Sequence, residues 1–241
     1  MNEIYIRKQL VKELTRQHPN NTEFLTELPI ANFSRRIDLV MANGNLSGFE
    51  IKSEQDTLKR LNGQLDAYTQ YFERVTVVCA TKHLNSVINS TPKDVGVWEF
   101  DGKSFVSHRE SLNFTLEKRK WISFLNVIGL RELLKTHQLK LSGLKSELIK
   151  RAETISYSDI RLFTLSYLKQ QFPLIIQHRL ERQKAKITEA NKICDLFTKE
   201  IIKPQELSLE ESSRRERVKM IRQAHQAKML KIFGDSYEYL P

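Results

Sequence analysis

A chain of 241 residues, 28% charged and 40% hydrophobic, carries enough apolar material for one large core or two smaller ones, and too much for a disordered segment. No apolar run reaches about 18 residues, which excludes an ordinary membrane-spanning helix, and the charged, amphipathic start MNEIYIRKQLVKEL lacks the apolar stretch of a secretory leader. The net charge of +10 is unevenly placed: residues 1–116 hold 14 Lys+Arg and 14 Asp+Glu, whereas residues 117–241 hold 25 and 15.

In chain order, residues 3–17 repeat apolar side chains at Ile4, Ile6, Leu10, Val11 and Leu14, mostly at helical spacing, and stop before His18-Pro19. FLTELPI reads as a strand. RRIDLVMA and LSGFEIKS read as two more, joined by Asn43-Gly44-Asn45, a strong hairpin signal. TLKRLNGQLDAYTQYF is predicted helical, and RVTVVCAT is predicted to be a strand covered on both faces. A short helix over residues 83–90 and the strands DVGVWEF and KSFVSHR close this part. Such an order implies an α/β domain with a mixed sheet.

Past residue 115 the strands stop. Residues 116–136, 144–154, 158–202 and 206–233 are predicted helical, with Pro173 bending or splitting the third helix and Pro204 ending it. The expected architecture is an α/β N-terminal domain followed by an all-α C-terminal region, divided as 1–115, 116–157 and 158–241. Cys79 and Cys194 lie far apart and supply no metal-ligand spacing, in keeping with a reducing cytoplasm.

The hairpin allows a geometric test. If Gly44 is the centre of a three-residue loop, facing residues have numbers that sum to 88, which sets Asp38 opposite Glu50. Glu50 and Lys52, two apart on a strand, leave the same face. Such a pair is either a surface ion pair of little worth or part of a site. Two carboxylates facing each other are destabilising unless a cation sits between them, and oxygen donors suit Mg²⁺ or Mn²⁺. Lys52 is then placed to orient a metal-bound water.

The stretch RIDLVMANGNLSGFEIKS resembles the core of the PD-(D/E)XK, or restriction-endonuclease-like, superfamily over residues 1–110. It is most similar there to small bacterial DNA-repair-like proteins with the run Glu50, Lys52, Ser53, Asp56, Arg60, Gln64 and Tyr68. The resemblance implies metal ligation by Asp38 and Glu50, catalytic roles for Lys52 and Gln64, and Tyr68 and Arg60 bordering the site; Arg36, with Arg35, reads as either a phosphate contact or a charged strand edge. Glu27 is the first choice for a further acidic ligand and Glu13 the second. The proline usual before the motif Asp is absent, since Arg36-Ile37 precede Asp38.

In the basic half, GLRELLKTHQLKLSGLKSELIKRAE resembles a SAP motif, a helix–extended–helix unit that binds DNA, over residues 127–154. Gln138 replaces a glycine often found there. Lys140, Lys145, Lys150 and Arg151 are its expected phosphate-facing set, giving affinity without base reading. An ordinary helical hairpin is the competing reading. Arg214, Arg215, Arg217, Lys219 and Arg222 form a further basic stretch after an N-cap at Ser208.

Three functions compete at this level. The leading expectation is an Mg²⁺-dependent deoxyribonuclease localised on DNA by its basic half, with RNA not excluded as substrate. The alternative is a non-catalytic nucleic-acid-binding or regulatory protein that retains a nuclease fold. The third is an oligomer joined through the C-terminal helices.

Overall fold

A computed structural model describes the backbone of residues 1–201 and the side chains of residues 1–191. Residues 1–184 make one compact unit and residues 185–241 a second, of which the described part is helical backbone. The expected helix over residues 206–233, its basic stretch, the N-cap at Ser208 and the stop at Pro204 lie outside the described residues.

The chain opens with α1 (Glu3–Gln17), capped by Asn2, whose side chain accepts from the Tyr5 backbone N–H at 2.9 Å. Its buried positions Ile6, Leu10 and Leu14 lie four apart on one face. Pro19 follows its end, as a residue that biases the one before it away from the helical region. Strands β1 (Glu23–Ile30), β2 (Arg35–Ala42) and β3 (Leu46–Lys52) are antiparallel neighbours. The β2–β3 register pairs Leu39 with Phe49, Val40 with Gly48, Met41 with Ser47 and Ala42 with Leu46, as a loop centred on Gly44 requires. Gly44 has φ +128°, a conformation open to glycine and costly for other residues.

Two crossovers follow. Helix α2 (Leu61–Tyr68) leads to β4 (Arg74–Ala80), parallel to β3, and α3 (Leu84–Ser90), after a 3₁₀ turn, leads to β5 (Gly96–Phe100), parallel to β4. Strand β6 (Phe105–Arg109) returns antiparallel. The result is one six-stranded mixed sheet in the order β1-β2-β3-β4-β5-β6. Every residue of β3 is buried, and all of β4 after Arg74, which explains their unbroken apolar and small character.

Both faces are covered. On one, α1 packs Ile6, Leu10 and Leu14 against Leu39, Phe49, Ile51, Val78 and Trp98. The other face carries Val40, Val75, Val77 and Val97, joined in one core with Leu65 and Tyr68 of α2 and with the C-terminal helices. Gly48 is required on this face, because a Cβ there would meet Ile37 Cδ1 at 2.4 Å and the Phe72 ring at 2.9 Å.

The single helix predicted over residues 116–136 is two, α4 (Lys118–Ser123) and α5 (Val127–Thr136). Asn126 is the reason: its side chain accepts from the Gly129 N–H at 2.9 Å and starts a new helix. Then come α6 (Lys145–Ala152) and α7 (Tyr157–Ile201), which is not split at Pro173. Buried Leu168 and Phe172, packed into the main core, hold the helix just before the proline. Trp121, Leu130, Leu148, Ile160 and Phe172 share that core with the sheet, so apolar packing runs past β6 and across residue 115.

Candidate functional site

The site arises where β2 parts from β3. The Leu39–Phe49 pair is the last rung of their ladder toward Asp38. Beyond it the Ile51 N–H donates to Asp38 Oδ2 at 2.7 Å, so a carboxylate stands where a strand carbonyl would. Alternation slips at the same residue: Ile37 belongs to the core on one face of the sheet and Leu39 to the core on the other. Across on β1, Glu27 sits between the paired residues Thr26 and Leu28 with φ +55°. Two acidic residues thus occupy a local break in two adjoining strands, and a cleft of about 810 Å³ opens there.

The floor of the cleft is a hydrogen-bonded set. Lys52 Nζ donates to Glu50 Oε1 at 2.7 Å and to Gln64 Oε1 at 3.0 Å, while Gln64 Nε2 donates to Glu50 Oε1 at 2.6 Å. Glu50 is 2% exposed and Lys52 7%, so this is a buried ion pair, not a surface one. Among the described residues Glu50 Oε2 has no hydrogen-bond partner. Gln64 Nε2 also reaches the Tyr68 hydroxyl at 3.3 Å, and that hydroxyl donates to the Arg36 carbonyl at 2.8 Å. Burial, then the Glu50 charge, holds the Tyr68 phenol well above its usual range, so it stays a neutral donor.

The acidic side of the cleft is more crowded than the sequence suggests. Carboxylate oxygens of Glu3, Glu27 and Asp38 lie within 4.8 Å of one another. Burial, reinforced by the Glu50 and Glu3 charges, pushes the Asp38 carboxyl up to about 8. Burial also raises Glu3, against the pull of Arg7. Glu27 is already partnered: Arg7 Nη1 lies 2.5 Å from its Oε1, and Arg36 Nε meets its Oε2. Arg179 of α7 donates to the Thr26 and Glu27 carbonyls at 2.5 and 3.2 Å, satisfying backbone that the break in β1 leaves exposed. Arg35, Lys59 and Arg60, all exposed, stand around the mouth.

The structure therefore brings together Asp38, Glu50, Lys52, Gln64 and Glu27, with Arg36 and Arg60 beside them. Tyr68 is fully buried and faces the core rather than a ligand. Glu13 is remote: it pairs with Arg16 in a different hollow. Glu3, Lys59 and Arg179 are the residues that the sequence reading missed. Glu3 directly follows the N-cap of α1, where an acid reads as a partner of the helix dipole and gives no signal of a site.

Away from the cleft, α5 and α6 make a helix–extended–helix unit, with Gln138 at φ +56° where glycine was expected. Lys140, Lys145 and Lys150 are exposed on it. Arg151 has a structural task instead, donating to the Lys140 and Ser142 carbonyls at 3.0 and 2.7 Å. Among the described residues no helix is long and apolar enough to cross a membrane.

The family model for bacteriophage P4 protein cII matches residues 1–197, the sheet and the helices alike. The chain belongs to the P4 cII family. Protein cII of Enterobacteria phage P4 is 35% identical to it over 165 residues, which is 64% of this chain and 61% of that protein. A protein of unknown function from Silicibacter pomeroyi shares 14% identity over 44% of this chain and 69% of its own, with a TM-score of 0.35.

cII membership corrects the sequence reading. The PD-(D/E)XK resemblance, and with it the Mg²⁺-dependent deoxyribonuclease, gives way to a phage protein family whose match spans the motif and most of the chain. The SAP resemblance gives way too, since residues 127–154 lie inside the same match. The physical reason is the brevity of the motif. An acid facing Glu-x-Lys across a hairpin also describes an internal ion pair, and Glu50 and Lys52 of this cII-family chain are bonded to each other.

Proposed function

We propose that this cII-family protein is a non-catalytic, DNA-binding regulatory protein. The observation that carries this reading is the placement of charge. The entire +10 resides in residues 117–241, and in the described part of that segment Lys140, Lys145 and Lys150 point to solvent on one helical unit. Such lysines neutralise phosphates without reading bases. The cleft adds a second contact zone, where Arg35, Lys59 and Arg60 surround the acidic floor.

On donor chemistry alone we also propose a hard divalent cation, Mg²⁺ or Mn²⁺, at that floor. Glu3, Glu27 and Asp38, whose carboxylate oxygens lie within 4.8 Å of one another, would hold it, with Glu50 lining the same cleft. An all-oxygen set suits such an ion, whose charge would offset the clustered carboxylates and admit a phosphate.

The test is a titration of labelled duplex DNA, single-stranded DNA and RNA against the full chain at several salt concentrations. Binding of DNA that weakens steeply with salt, with the DNA recovered intact after incubation with Mg²⁺ or Mn²⁺, is the expected result. Absence of binding at low salt would overturn the reading.

A further inference from the structure

The turn between β1 and β2 holds an unusual conformation. Ala31, Asn32 and Phe33 have φ of +49°, +53° and +66°, three successive L residues in the left-handed region. Such residues visit that region singly, and rarely in a run, because Cβ crowds the following carbonyl. The run is held at both ends. Ile30 before it is buried, the Ser34 N–H closes the turn onto the Ala31 carbonyl at 3.1 Å, and Arg35 Nε reaches the Gly63 carbonyl of α2 at 3.5 Å. Its effect is to display Phe33, which is 85% exposed and forms part of the rim of the cleft.

The setting of that ring narrows what it meets. Its chain neighbours Asn32, Ser34, Arg35 and Arg36 are all exposed and polar. The exposed cations Arg35, Lys59 and Arg60 line the same cleft, above its acidic floor. An exposed aromatic ring presented beside cations is an arrangement that binds single-stranded nucleic acid, the ring stacking on a base and the cations taking the backbone.

We infer that Phe33, held out on the left-handed β1–β2 turn, stacks on an unpaired base of the bound strand, while Arg35, Lys59 and Arg60 take the flanking phosphates. The inference rests on the nucleic-acid-binding reading above and adds to it a preference of the cleft for unpaired over duplex strand. A base kept in a duplex stack offers no free face to the ring.

The experiment uses the full chain and its Phe33→Ala and Phe33→Tyr variants. The probes are a single-stranded DNA oligonucleotide carrying one 2-aminopurine and the fully paired duplex of the same sequence, with folding checked by circular dichroism. The parent should quench 2-aminopurine on binding the single strand. Phe33→Ala should bind that strand about ten-fold more weakly without the quench, and should bind the duplex as the parent does. Phe33→Tyr should keep both affinity and quench. Equal single-strand affinity in parent and Phe33→Ala overturns the inference and leaves the DNA-binding reading standing. An equal loss on both probes overturns stacking in favour of a general effect on the surface. No binding of either probe by the parent overturns both readings.

Discussion

Two ion pairs, each with a buried carboxylate, stand at opposite ends of the β2–β3 hairpin, and they differ in how completely they are satisfied. At the turn end, Arg161 of α7 donates from Nε to Glu73 Oε1 at 2.6 Å and from Nη2 to Glu73 Oε2 at 3.1 Å, and Nη2 also reaches the Gly44 carbonyl at 2.7 Å. Glu73 Oε2 accepts the Leu46 N–H as well, and the guanidinium lies over the Trp121 ring. Both oxygens are used. At the cleft end, Lys52 and Gln64 share one oxygen of Glu50, and the other has no partner among the described residues, beside Asp38 with its raised pKa. The saturated pair is a staple that fixes α7 to the hairpin. An unsaturated one, open to a cleft, keeps capacity for a ligand.

The staple should give the largest response. Arg161→Ala leaves Glu73 buried without its cation, and urea unfolding should show a loss of about 3–5 kcal/mol. A loss under 1 kcal/mol would mean that water replaces the guanidinium and that the contrast between the ends is false.

At the cleft end the sign reverses. The Asp38 pKa is higher folded, about 8, than the ordinary value of 3.8, so the native state binds the extra proton and this group's contribution to stability falls as pH rises through that window. Asp38→Asn keeps an oxygen for the Ile51 N–H and removes the charge. It should match the parent near pH 4 and exceed it above pH 8, by on the order of 2 kcal/mol. A melting-temperature difference that does not change with pH would remove the crowding argument.

A cation sharpens the comparison. Millimolar Mn²⁺ should raise the melting temperature of the parent, by about 1–3 kcal/mol of stabilisation at saturation, and have no such effect on Asp38→Asn or Glu3→Gln. Arg161→Ala should still respond to the ion, because its lesion lies at the other end of the hairpin. Equal shifts in parent and Asp38→Asn would place the ion elsewhere.

The smallest effect on stability belongs to the exposed lysines. Changing Lys140, Lys145 and Lys150 together to Gln should leave unfolding nearly unchanged, and should lower the slope of log affinity against log salt on duplex DNA by about 2–3. An unaltered slope would show that this helical unit does not touch phosphate.

Much of this molecule is legible from local pattern. The helix of residues 3–17 follows from apolar spacing, six strands from their runs of β-branched and aromatic residues, and the hairpin register from Asn43-Gly44-Asn45. Asp38, Glu50 and Lys52 are legible because the hairpin register brings them together over short sequence distances, whereas Gln64 entered only through the nuclease resemblance. What only the tertiary structure decided comes from contacts between distant elements. It carries Glu3 from α1 and Arg179 from α7 to the cleft, draws Arg36 onto Glu27, buries Tyr68, and makes Glu50 and Lys52 partners of each other. It also extends one core from the sheet to Phe172, across a point where composition alone suggests a boundary. Periodicity and turn chemistry are properties of neighbouring residues and can be read along the chain. Whether a charged side chain is free, paired or buried depends on which distant element packs over it, and a short motif of charges carries no record of that.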